Sequence, residues 1–170
     1  RILVVNKNGT YYTTDYDLSN HYEEGFSVIE KYEPEKVWSA VFFDAEQQFY
    51  YLKRFRFENV ARHTLFIGET EGSYLVALSG EKRPRFEIVF GGRYEGRPAE
   101  VIVADEFIAE KSYKARGKRM TTYEVKQINE IEPLDSGEGE SEEIPSNDVD
   151  FEITNPDMLS DETQMRLDFE

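Results

Sequence analysis

Cysteine is absent from all 170 residues. Disulfides, thiolate-held metals and a thiol nucleophile are thereby excluded, and a reducing intracellular compartment is the simplest setting. Histidine is almost absent. His21 and His63 stand alone, without the i, i+4 spacing that pairs histidines on a metal, so both read as solvated loop residues. Long apolar runs are missing too. The longest stretches, such as 29–43, are broken by charge and fall short of the roughly 20 apolar residues of a membrane-spanning helix. No G-x-S-x-G, Walker A or H-E-x-x-H string occurs, so no catalytic site is legible and the chain calls for no cofactor or metal of its own. The acid pair Asp15 and Asp17 shares one strand face, an arrangement open to a cation but commoner as a polar exterior. The chain opens at Arg1 with no initiator Met and no signal pattern, which reads as a piece of something longer.

Charge is plentiful but unevenly distributed. Residues 1–131 hold 19 Lys and Arg against 21 Asp and Glu, whereas residues 132–170 hold 1 against 14. A formal net charge of −15 therefore describes a polyanionic tail attached to a nearly neutral body. The expected organisation is a domain over 1–131, a disordered acidic linker over 132–157, and a short motif or helix over 158–170. The linker, with DSGEGESEE at its start, has too little apolar surface to offset the entropy of ordering it.

The body reads as all-β, in short β-branched and aromatic runs separated by turn residues. RILVVNKNGTYYTTDYDL predicts a hairpin with Asn8-Gly9 in a type I′ turn. VWSAVFFDAEQQFYYLKRFRF, SYLVALSGEKRPRFEIVFGG and AEVIVADEFIAEKSYKARGKRMTTYEV read as further hairpin-like units. Anchors at Val4, Val41, Val76 and Val101 give spacings of 37, 35 and 25 residues, compatible with a propeller-like repeat array and also with an ordinary β sandwich.

Cations cluster on these units beside aromatic residues. In FYYLKRFRF, period-2 alternation puts Arg54 and Arg56 on one face and Phe55 and Phe57 on the other, with Lys53 adjoining. Lys82, Arg83 and Arg85 follow, then Arg93 and Arg97 in a Gly-rich stretch. The densest group is Lys111, Lys114, Arg116, Lys118 and Arg119. A stripe of this kind suits the phosphate backbone of duplex DNA rather than base edges. The same residues also serve to protect solvated strand edges, and neighbours Glu58, Glu87 and Glu110 fit that second use.

RILVVNKNGTYYTTDYDLS, FYYLKRFRFE, PRFEIVFGG and above all KSYKARGKRMTTYEVKQINEI resemble the C-terminal domain of the A subunit of bacterial type IIA topoisomerases, over about residues 1–131. The resemblance implies a β-pinwheel: four-stranded blades exchanging strands, about three of them here and so an open or partial array, with a basic rim that bends DNA. It also implies that the catalytic Tyr lies in another part of the polypeptide, so that this piece is no enzyme on its own. The parent enzyme would use ATP and Mg2+ through other domains and an ATPase B subunit, in the bacterial cytoplasm on the nucleoid. The gyrase-type Gly-rich basic box is replaced by KARGKR, which favours a topoisomerase IV role in relaxation and decatenation over a gyrase paralogue. The alternative of another class is a propeller-like protein-interaction module whose tail recruits a partner.

Two expectations concern the tail. Its polyanion, tethered beside a basic rim, competes with DNA for the same cations. Its last residues, with Gln164, Leu167 and Phe169 as anchors, fit Q-x-x-L-x-F, which resembles the peptide that binds the bacterial sliding clamp.

Overall fold

A computed structural model describes residues 1–16 and 25–134. Its strands are β1 (Ile2–Asn6), β2 (Thr10–Thr14), β3 (Phe26–Lys31), β4 (Trp38–Asp44), β5 (Phe49–Phe55), β6 (Thr64–Leu65), β7 (Tyr74–Ser79), β8 (Arg85–Phe90), β9 (Glu100–Val103), β10 (Lys118–Arg119) and β11 (Val125–Ile131). Helix among the described residues is limited to one turn, α1 (Ala104–Phe107), and a 3-10 turn over Gly92–Tyr94. The compact unit is Arg1–Leu134, closed at its end by the Leu134 N–H donating to the Arg83 carbonyl. The expected linker and terminal motif, including Gln164, Leu167 and Phe169, lie outside the described residues apart from 132–134.

Three antiparallel sheets form three blades, as the pinwheel expectation required: β3-β1-β2-β6, β7-β4-β5-β10 and β11-β8-β9. The order repeats a single scheme. A central hairpin (β1-β2, β4-β5, β8-β9) takes on its first strand a returning strand (β3, β7, β11). On its second strand it takes a short strand that the chain supplies only after starting the next blade (β6, β10). Blade 3 has no such fourth strand among the described residues. The alternation that makes strands of these segments is visible in β8, where Phe86, Ile88 and Phe90 are buried and Arg85, Glu87 and Val89 are not.

Strand exchange corrects part of the repeat. Val4 and Val41 both lie in the first strand of a central hairpin and pair across both neighbours (Tyr12 and Ile29; Leu52 and Ala77), but on opposite faces: Val41 faces the next blade, as Leu3 and Val5 do in blade 1. The corresponding strand of blade 3 is β8, whose Ile88 pairs with Glu100 and Ile128; Val76 lies in the returning strand β7 and Val101 in β9. The β7 and β8 segments do not form a hairpin, because β7 closes blade 2 and β8 opens blade 3. Likewise the segment from Ala99 to Val125 serves two blades, β9 staying in blade 3 while β10 crosses to blade 2. The β1–β2 turn is also not type I′. Gly9 alone in the loop has positive φ (90°), and its N–H donates to the Asn6 carbonyl at 3.1 Å, whereas type I′ needs two left-handed residues.

Two hydrophobic cores lie between successive blades. Leu3, Val5 and Tyr11 of blade 1 meet Ala40, Phe42, Tyr51 and Phe55 of blade 2, joined by Trp38, Phe57 and Phe66. Val41 and Leu52, on the other face of blade 2, meet Phe86, Ile88, Phe90 and Ile102 of blade 3, joined by Met120. Phe66 and Met120 directly follow the donated strands β6 and β10. Each exchanged strand thus ends by inserting one large apolar side chain into the core beside it. Blade 2 is apolar on both faces, which explains the near-continuous burial of β4.

Candidate nucleic-acid interface

The thirteen cations picked out by sequence meet three fates. Lys53 is interior, 2% exposed. Its Nζ donates to the carbonyls of Phe66, Tyr113 and Ala115 and lies 5.3–5.8 Å from the ring centroids of Phe42, Phe55 and Phe66. A duplex cannot reach it, so its place in the candidate set is withdrawn. Alternation accounts for the difference: Lys53 shares the inward face with Phe55 and Phe57, as the pattern placed those rings. Burial lowers its pKa to about 8, while three carbonyl acceptors, one for each ammonium hydrogen, hold it protonated at neutral pH.

A second group is taken up by structural partners. Arg56 bridges Glu35 at 2.7 Å and Glu110 at 2.9 Å; Arg83 bridges Asp105 at 3.1 Å and Glu106 at 2.8 Å. Arg54 donates to the Ile108 carbonyl and Arg85 to the Glu132 carbonyl. Lys82 is exposed and also has an interaction partner. Arg54 and Arg56 do share a face, but Ile108 and Glu110, which follow α1, and Glu35, which precedes β4, engage both.

The third group, Arg93, Arg97, Lys111, Lys114, Arg116, Lys118 and Arg119, is exposed and makes no ion pair among the described residues. Several lie on aromatic faces instead. The Arg97 guanidinium is 4.0 Å from the Tyr123 centroid, Arg119 4.2 Å from Phe49, and Lys118 Nζ 4.3 Å from Phe107, where it also donates to the Phe107 carbonyl. A ring restrains the stem of a guanidinium and leaves its N–H edge free for an oxyanion. These supporting rings escaped the sequence reading, because their pairing with cations joins residues far apart in the chain; Arg119 on β10 and Phe49 on β5, neighbouring strands of blade 2, illustrate it.

Residues 111–123 contain five cations and no acid. They reach blade 2 through Gly117, at φ 93°, where an added Cβ would stand 2.9 Å from the Leu52 carbonyl oxygen. Only glycine allows that approach without strain. Beside this strand runs a groove of about 420 Å³ lined by Phe43, Phe49, Tyr50, Tyr94 and Tyr123. Burial and the Tyr74 hydroxyl at 3.3 Å push the Tyr50 phenol up to about 12, so it stays neutral.

Among the described residues no group of three His, Asp or Glu side chains could hold a metal. Asp15 is paired with Arg1 at 2.9 Å, Asp17 and His21 are outside the described residues, and His63 stacks on Tyr12. No helix among the described residues is long and apolar enough to cross a membrane.

Three exchange-linked blades carry exposed cations without ion pairs on the 92–97 turn and on residues 111–119. The family model for the topoisomerase C-terminal domain of Bacteroidota matches residues 1–132, and the chain belongs to that family. Its role is that of an accessory region of a topoisomerase. Comparison with curated proteins and with solved structures gives no match for either.

Proposed function

We propose that the chain is the non-catalytic DNA-binding element of a type IIA topoisomerase, holding and bending duplex DNA so that cleavage chemistry elsewhere meets a positioned segment. The observation that supports it is segregation of charge. The body carries a slight excess of acid, yet seven exposed cations without ion pairs gather on the 92–97 turn and on residues 111–119. Contacts of this type read phosphate and not sequence, and they release counterions. In this reading the catalytic Tyr belongs to the rest of the A subunit, ATP and Mg2+ are held there and by an ATPase B subunit, and the enzyme relaxes and decatenates DNA on the nucleoid as topoisomerase IV does. Residues 132–170, with 14 acids against one cation, compete for the same surface and weaken binding at low salt. The Q-x-x-L-x-F string remains a proposed clamp contact.

The test is a titration of duplex DNA at several salt concentrations. Replacing Arg116, Lys118 and Arg119 by Gln lowers the slope of log affinity against log salt by about 2.7, at roughly 0.9 per phosphate lost. An unchanged slope refutes the assignment. Removing residues 132–170 raises affinity at low salt, and equal affinities with and without them dismiss the competition.

A further inference from the structure

Among the described residues the repeat scheme leaves one seat unfilled. In blades 1 and 2 the outer edge of the central hairpin is covered by a two-residue strand followed by a large apolar residue: Thr64–Leu65 then Phe66, and Lys118–Arg119 then Met120. The two seatings match in detail. The Phe66 N–H donates to the Gly9 carbonyl at 2.8 Å and the Met120 N–H to the Tyr50 carbonyl at 2.9 Å, each at the start of the hairpin's second strand. Both apolar side chains then fall on the face of the sheet turned toward the following blade.

On blade 3 the corresponding edge belongs to β9, which pairs with β8 on one side and with no strand among the described residues on the other. Register fixes which groups face outward. The Ala104 N–H donates to the Pro84 carbonyl, so by antiparallel alternation Ile102 and Glu100 also point their backbone groups at β8. Val101 then turns its N–H and C=O to the open side, and Val103 its N–H. Val101 is 47% exposed. It lies on the face opposite buried Ile102, the face that Phe66 and Met120 cover in the other blades.

We propose that β9 is a docking edge for an extended segment of another polypeptide, two residues of strand followed by a large apolar side chain that covers Val101. The occupants of the two equivalent seats define its chemistry: the first two positions tolerate Thr, Leu, Lys or Arg, and the third is Phe or Met. Backbone pairing supplies the attachment and the third residue the selectivity. The seat makes no use of the cations proposed to hold DNA, so either assignment can fail without the other.

The experiment uses the full chain and two peptides of its own sequence, residues 62–68 and 117–123, at millimolar concentration, with amide hydrogen exchange as the readout. Expected is at least about tenfold slower exchange at Val101 and Val103, with little change at Ile102, which already faces β8. The 117–123 peptide carrying Met120→Asp gives no slowing. In the chain, Val101→Pro removes the outward N–H without touching a bond to β8, and abolishes the effect while the exchange of Ile88 and Ile128 shows blade 3 intact. Two results overturn the proposal: no slowing with either peptide, or Val101 and Val103 already slow in the chain alone, whether a second copy or its own residues fill the seat.

Discussion

Two stretches of this chain look alike in sequence and have opposite fates. Phe49–Phe57 and Lys111–Arg119 both set clustered cations beside aromatic side chains, five rings in the first and Tyr113 in the second. In the first, Lys53 is sealed inside against three carbonyls, Arg54 is held by the Ile108 carbonyl and Arg56 lies between two glutamates. In the second, Lys111, Lys114, Arg116, Lys118 and Arg119 are exposed, with no acid from 111 to 123. The difference follows from position in the sheet. The first stretch contains the second strand of a central hairpin, covered on both faces and along both edges, where a charge persists only if the structure neutralises or solvates it. The second contains a donated edge strand with one side toward water. Local composition says that cations are present; the place of a strand in the exchange scheme decides whether they are available.

The largest effect that sharpens this contrast is on Lys53. Lys53→Met keeps the volume but strands three carbonyls, and should cost about 3 kcal/mol in urea unfolding, with the salt slope of DNA binding unchanged while the protein is folded. A fall in the salt slope comparable to that of the Lys118 and Arg119 variants would break the comparison. Next in size is the pH response. Because burial lowers the folded pKa of Lys53 to about 8, the unfolded chain binds more protons from there up to the ordinary lysine value. Stability should therefore rise by about 2 kcal/mol between pH 7 and 10, a rise missing in Lys53→Met. Above pH 10 the sign reverses. Tyr11, Tyr32 and Tyr50, all raised by burial, keep their protons folded and lose them unfolded, so stability falls as pH increases further. A monotonic fall from pH 7 upward would refute the buried-ammonium account. Smallest are the surface substitutions. Arg56→Gln removes two exposed ion pairs and should cost under about 0.5 kcal/mol in denaturant unfolding without altering the DNA salt slope.

The strand character of the body was legible in the sequence, and so was the face of each residue in FYYLKRFRF, because alternation is local. What could not be read was which strand joins which blade. A tight turn declares its own hairpin, as Asn8-Gly9 and the loop between Asp44 and Phe49 do, but β6 and β10 are two residues long and pair with partners more than fifty residues earlier. Nothing in Thr64–Leu65 signals that its partner is Thr10. The same non-local pairing misplaced Val76 and Val101 as repeat anchors. It also hid which seven of the thirteen candidates are exposed without an ion pair, since the carboxylates on Arg56 and Arg83 come from 21 or more residues away.

The exchanged strands also constrain how the domain comes into being. During synthesis blade 1 must wait, with its hairpin edge bare, until residues 64–66 emerge, and blade 2 until residues 118–120 do. Each blade is finished only by the arrival of its successor. The three blades therefore should not melt one at a time as independent modules, and a lesion in the last of them is felt backward along the chain. A strand borrowed from ahead makes the order of translation part of the architecture.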